Sequence, residues 1–271
     1  MSLKRTPTSN QVGRDVASSI PASAEGVFGL AGGFSGASRS SGIDRPSRTA
    51  DDGELDGDNE PGGDLGLDGD PELDGELARI WPRAVVHLDV RSNDAHTLYA
   101  VAIARSLLAA HPEADAGVVL PAIMLHDIGW SKVPPDEVLE AIAPGGGRED
   151  LVLLHEKEGA RLARAILAEA GVPEERTARI VEIIDGHDSR REALSIEDAI
   201  VKDADKTWRL TPHGLDTVMD WFGLDRGQAL RLCSSRVHAH LFTDAAKALA
   251  RGLAAIESAN LWPERVALEL P

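Results

Sequence analysis

From about Glu76 onward, apolar residues recur with the spacing of a single helix face, and polar residues fill the gaps. Asn93 or Asp94 can cap a helix that runs through His96, Leu98, Val101, Ile103, Leu107 and Leu108. A continuous apolar run, Val118 to Leu125, then leads directly into His126. Helix signals return at 149–170, where Asp150 marks a start and Gly171 a stop, and again at 174–185. Ile196 to Leu210, Gly214 to Phe222 and Arg226 to about Ala259 complete the series. No stretch alternates with period two, although Ala84 to Val90 reads as a short extended piece. The pattern predicts an all-α fold.

The first 76 residues lack this periodicity. They are rich in Ser, Gly, Pro and Asp, and such a segment buries too little apolar surface to offset the entropy of ordering it. Residues 1–76 therefore read as a disordered acidic tail, and 77–271 as one domain. The net charge of −17 is uneven, with 12 acids and no Lys or Arg between Asp51 and Glu76. Asp56, Asp58 and Glu60 alternate as in a calcium loop, but the sixth position is Pro61 where that loop needs glycine. A solvated linker is the expectation there.

Composition narrows the function classes. Hydrophobic residues make up 42% of the chain and aromatics only 4%, so Leu, Ala, Ile and Val must supply the core. Nothing resembles the basic patch that a nucleic-acid polymer requires. Cys233 is the single cysteine, which excludes an internal disulfide or a cysteine-based zinc cluster and favours a reducing compartment. No apolar run reaches the roughly 20 residues of a membrane span. The stretch after Lys4 and Arg5 is broken by Gln11, Arg14, Asp15 and Pro21, unlike a signal peptide. The expectation is a cytoplasmic protein without a membrane partner, and the sequence is silent on oligomeric state.

The candidate chemistry lies in one ordered series, His96, His126-Asp127, His155 and His187, closed by Asp205. Each residue falls on or near the edge of a predicted helix, where several helices can converge. Imidazole and carboxylate together suit Mn, Fe, Zn, Co or Ni, and Mg less well.

The order His…His-Asp…Asp resembles the HD superfamily of metal-dependent phosphohydrolases. The resemblance rests on His96 in NDAHTLYA, the pair in LPAIMLHDIGW and Asp205 in AIVKDADKTWRL, and covers about residues 85–210. It implies an HD-domain, phosphodiesterase-like helical bundle. It also implies a divalent metal held by His96, His126, Asp127 and Asp205, and hydrolysis of a nucleotide or another small phosphate ester. Members with two ions add histidines in the order of His155 and His187, which makes Asp127 the bridging carboxylate. The chain departs from the cyclic-dinucleotide branch, since the lysine after HDIG is Trp130, the paired histidine is Gly186-His187 and the Gly-Tyr-Pro segment is missing.

Roles around the centre follow from the same reading. Asp127, Lys206 and Arg190 are the candidate catalytic residues, with Lys206 and the Arg190-Arg191 pair as phosphate clamps and Lys132 and Arg209 as weaker ones. Asp203 competes with Asp205, and the position just before the basic residue favours Asp205. Glu156 and Asp188 can orient ligand imidazoles or simply face solvent. His87, His111, His213, His238 and His240 read as structural, and Trp130, Trp208 and Trp221 as core or pocket wall. Two other functions fit the ligand set: a di-iron oxygenase, and a metal-binding module that senses nucleotides.

Overall fold

The computed structural model describes residues 70–143 and 147–261; the tail read at 1–76 lies, up to Gly69, outside the described residues. The first helix among the described residues, α1 (Pro71–Ala84), begins six residues before the start of the domain drawn from composition. Asp70 caps it by accepting from the backbone N–H groups of Glu72 and Leu73, and Pro71 fits the first turn, where no donor is needed. Glu76, Leu77, Ile80 and Ala84 are buried, and Glu76 pairs with Arg176. Residues 71–76 thus belong to the folded unit. Ala84 to Val90 is not extended: α1 passes into a 3-10 turn, Val85–His87, and Leu88 is fully buried.

Next come α2 (Asn93–Leu108), α3 (Ala116–Leu125), a 3-10 turn (Ile128–Lys132) and the short α4 (Val138–Ala141). The series continues with α5 (Glu149–Ala170), α6 (Glu174–Ile184) and α7 (Ile196–Trp208). No strand occurs among the described residues. The apolar run of the sequence is the central helix: every residue from Val118 to Leu125 in α3 is buried. That helix packs against α1, α2, α6 and α7, which explains why it shows no polar face.

The last third departs from the expected single helix over 226–259. It forms α9 (Arg226–Val237), a 3-10 turn (His238–His240) and α10 (Asp244–Asn260). The break is chemical. Thr243 accepts from the N–H of Ala246 and starts a new helix, while both Asp203 carboxylate oxygens bind the chain at Phe242 and Thr243. Helix α8 (Pro212–Phe222) precedes α9 and starts two residues before Gly214, capped by Thr211. No described helix is long and apolar enough to cross a membrane.

Candidate metal centre

Asp127 stands where α3 ends. His126 is still helical, but Asp127 turns to φ −100°, ψ 1° and opens the 3-10 turn. The pair is therefore not two successive helical residues, and the turn aims both side chains inward. The following Gly129 explains the tightness of this turn. A β-carbon there would sit 1.8 Å from the His155 carbonyl oxygen and 2.5 Å from the Gly159 nitrogen. Backbone contact between the turn and α5 thus places Asp127 beside His155.

The two oxygens of Asp127 face different partners. Oδ2 lies 3.4 Å from His96 Nε2 and 3.5 Å from His126 Nε2. Asp205 Oδ1 completes that group, 3.5 Å from His96 Nε2 and 3.8 Å from His126 Nε2, and the two imidazole nitrogens are 3.0 Å apart. Oδ1 of Asp127 lies 3.6 Å from His187 Nε2 and 4.0 Å from His155 Nε2, and those nitrogens are 3.5 Å apart. Asp188 Oδ2 joins them at 3.7 and 3.8 Å. Atoms bonded to one cation at ~2.1 Å stand ~3.0–3.4 Å from one another, so both groups suit a divalent metal.

The ring orientations are fixed from behind. His126 Nδ1 donates to the Ile123 carbonyl at 2.7 Å and His187 Nδ1 to that of Ile184 at 2.9 Å, so each ring turns Nε2 toward the centre. Trp130 stacks on His155, 3.8 Å between centroids, and its Nε1–H donates to Asp127 Oδ1 at 3.0 Å. Trp208 meets the His96 ring edge-on at 4.3 Å.

Electrostatics divides the histidines. Burial pulls His96 and His155 down to about 4, leaving them neutral. Burial acts the same way on His187, yet Asp188 and Asp127 outweigh it and raise that ring to about 9. For His126, too, burial is opposed and overcome by Asp127 and Asp205. Burial would neutralise Asp127, but the neighbouring histidines, His126 above all, hold it well below the usual carboxylate range. Arg209 and His126 do the same for Asp205.

The loop that carries His187 is tied down by two charged residues. Lys202 donates to the carbonyls of Gly186, His187 and Arg190 at 2.6, 2.9 and 3.0 Å. Glu156 accepts from the N–H groups of Asp188 and Ser189 and from the Ser189 hydroxyl. Glu156 therefore holds the loop rather than an imidazole, and Asp188 faces the centre itself.

The remaining candidates sort clearly. Asp203 binds the start of α10, whereas Asp205 faces the histidines. Lys206 lines a cavity of about 400 Å³ that opens on Asp127, Asp188 and Asp205. Arg190 does not reach that cavity: it donates to the carbonyls of Asp185 and Glu182 and to Asp198. Arg190 and Arg191 border a smaller cavity of about 300 Å³. Lys132 is exposed, and Arg209 lies 3.4 Å from Asp205 Oδ2. His213 accepts from Trp208 Nε1–H and stacks on Tyr99. Sequence reasoning missed Arg91 and Arg236, which also line the larger cavity. Neither carries a local signal, since one sits in a connection and the other in a helix beyond the motif.

The family model described as HD domain matches residues 93–210. That span contains all six of the metal-ligand candidates. The chain carries an HD domain. HD domains form a superfamily of metal-dependent phosphohydrolases and bind divalent metals, in keeping with the buried histidine and carboxylate groups. Comparison with curated proteins and with solved structures gives no match.

Proposed function

We propose that this HD domain hydrolyses a small phosphate ester at a centre for two divalent cations. His96, His126, Asp127 and Asp205 would hold one ion. His155, His187 and Asp127, with Asp188 beside them, would hold the other. The observation that carries this reading is the division of Asp127, whose two oxygens face separate histidine pairs. A bound divalent cation supplies water acidified toward a pKa of ~7 and positive charge against the phosphoryl oxygens.

The residues of the chain do the rest. His126 and His187 present their nitrogens in orientations set by backbone carbonyls, so little rearrangement is needed on binding. Trp130 fixes the oxygen of Asp127 that faces His155 and His187. Arg209 offsets the charge of Asp205. Lys206 faces the open side of the centre, where a transferring phosphoryl group needs positive charge.

The test joins elemental analysis of the purified chain to phosphate release from a panel of monoesters and diesters with Mn²⁺, in air and anaerobically. The expected result is about two ions per chain and equal turnover under both conditions. Dependence on iron and dioxygen, with no ester hydrolysed, would transfer the reading to a di-iron oxygenase built on the same ligand set.

A further inference from the structure

Four cationic side chains line the cavity beside the carboxylates, and they differ in their partners. Arg209 faces Asp205. Arg91, Lys206 and Arg236 make no ion pair with any described residue, and their side chains donate to none. Arg91 is held in place by unusual backbone: it and Ser92 adopt φ of 54° and 59°, a left-handed conformation that residues other than glycine take at a cost. Its guanidinium lies between two indoles, 4.7 Å from the Trp130 centroid and 4.9 Å from that of Trp221. The Arg91 Nε and Asn93 Nδ2 atoms are buried there without a partner. Donors with no acceptor, arranged beside a metal centre, call for an anion.

Much of the remaining lining is apolar: Val218, Trp221 and Phe222 come from α8, and Leu232 and Val237 from α9, which also supplies Arg236. These residues, with Arg91 and Arg236, lie outside the span that the HD family model matches. A sugar set against these side chains would lose water from its hydroxyl groups without gaining partners from them. A nucleobase can stack its ring on an indole, yet its ring nitrogens and amino groups would lose water in the same way. A hydrocarbon or aryl group would gain from the same burial. The volume falls within the range of small-ligand sites.

We propose that this cavity selects phosphate monoesters with an apolar or aromatic organic group. Arg91, Lys206 and Arg236 hold the phosphoryl group, and Trp221, Phe222 and Val237 contact the organic group. The proposal rests on the phosphohydrolase reading above, so binding is measured apart from turnover.

Calorimetry on the full, Mn²⁺-loaded chain compares phenylphosphonate with methylphosphonate. Phenylphosphonate is expected to bind about tenfold more tightly or better, because it buries a ring. Trp221→Ala should abolish that difference. Arg91→Met should weaken both ligands about tenfold or more with bound Mn²⁺ unchanged, and Arg236→Met provides the same test at a position of ordinary helical backbone. In turnover, kcat/KM for phenyl phosphate should exceed that for adenosine 5′-monophosphate, ribose 5-phosphate and diphenyl phosphate by about tenfold. Equal binding of the two phosphonates, unchanged binding in both arginine variants, or preference for the nucleotide, the sugar phosphate or the diester would overturn the proposal. A binding preference without hydrolysis of any ester would sink the hydrolase reading and leave the pocket assignment standing.

Discussion

Asp203 and Asp205 are two residues apart on α7, yet they serve different partners, one the start of α10 and the other the histidines. Asp203 accepts from two backbone N–H groups and one hydroxyl at the start of α10. Removing it leaves buried donors unpaired, each worth about 1–3 kcal/mol. Asp203→Ala should therefore lower stability by about 3 kcal/mol or more while metal binding at the proposed centre is unchanged. Asp205→Asn should act the other way, leaving the fold nearly intact and removing the ion between His96 and His126. Urea unfolding and elemental analysis of both variants separate the two. Metal loss in Asp203→Ala with retention in Asp205→Asn would reverse the assignment. The sequence alone favoured Asp205 from its place before Lys206, and Asp205 is the carboxylate that faces the histidines. The sequence could not give the reason, because the partners of Asp203 lie about 40 positions away.

At the scale of elements, the centre depends on how closely the turn after α3 meets α5. Gly129 is the point of contact, and a methyl group there has no room: the obstruction is backbone on α5, which no side-chain rotation can clear. Gly129→Ala should force the turn away from α5 and carry Asp127 from His155. The expected outcome is a loss of about 3 kcal/mol or more, in the range of overpacked cores, with bound metal falling by about half or further. Thermal melting with metal analysis checks it; wild-type values for both would show that the turn has more freedom than its packing indicates. Such contacts also explain what sequence could convey. The apolar lead-in, the His-Asp pair and the helix punctuation at Gly171 are local signals, and they located α3 and α5. The start of α1 was obscured by an acidic composition continuous with the preceding segment, although Asp70-Pro71 is itself a cap signal. The break before α10 was hidden because Thr243-Asp244 sits inside a stretch of otherwise good helix formers.

Over the whole molecule, the centre concentrates charged and polar groups that a metal-free core tolerates poorly. Four histidines and the carboxylates of Asp127 and Asp205 are buried where α2, α3, α5 and α7 and the adjoining turns converge. Two of the rings are held neutral by burial, while His187 is raised to about 9 by the carboxylates. A cation binding the folded arrangement, and not the unfolded chain, stabilises by RT ln(1 + [L]/Kd), about 4 kcal/mol at a thousandfold excess over Kd. For a domain of this size, 1 kcal/mol moves the melting point by about 2–4 °C. Saturating Mn²⁺ should therefore raise the melting temperature of chelator-stripped protein by about 8–16 °C. The rise should shrink in Asp127→Ala, which loses the carboxylate shared by both groups, more than in His187→Ala. That ordering is the discriminating part of the experiment, since any surface site would also produce some shift. Equal shifts in wild type and Asp127→Ala would place the bound metal elsewhere on the chain and leave the buried cluster as a structural hydrogen-bond network.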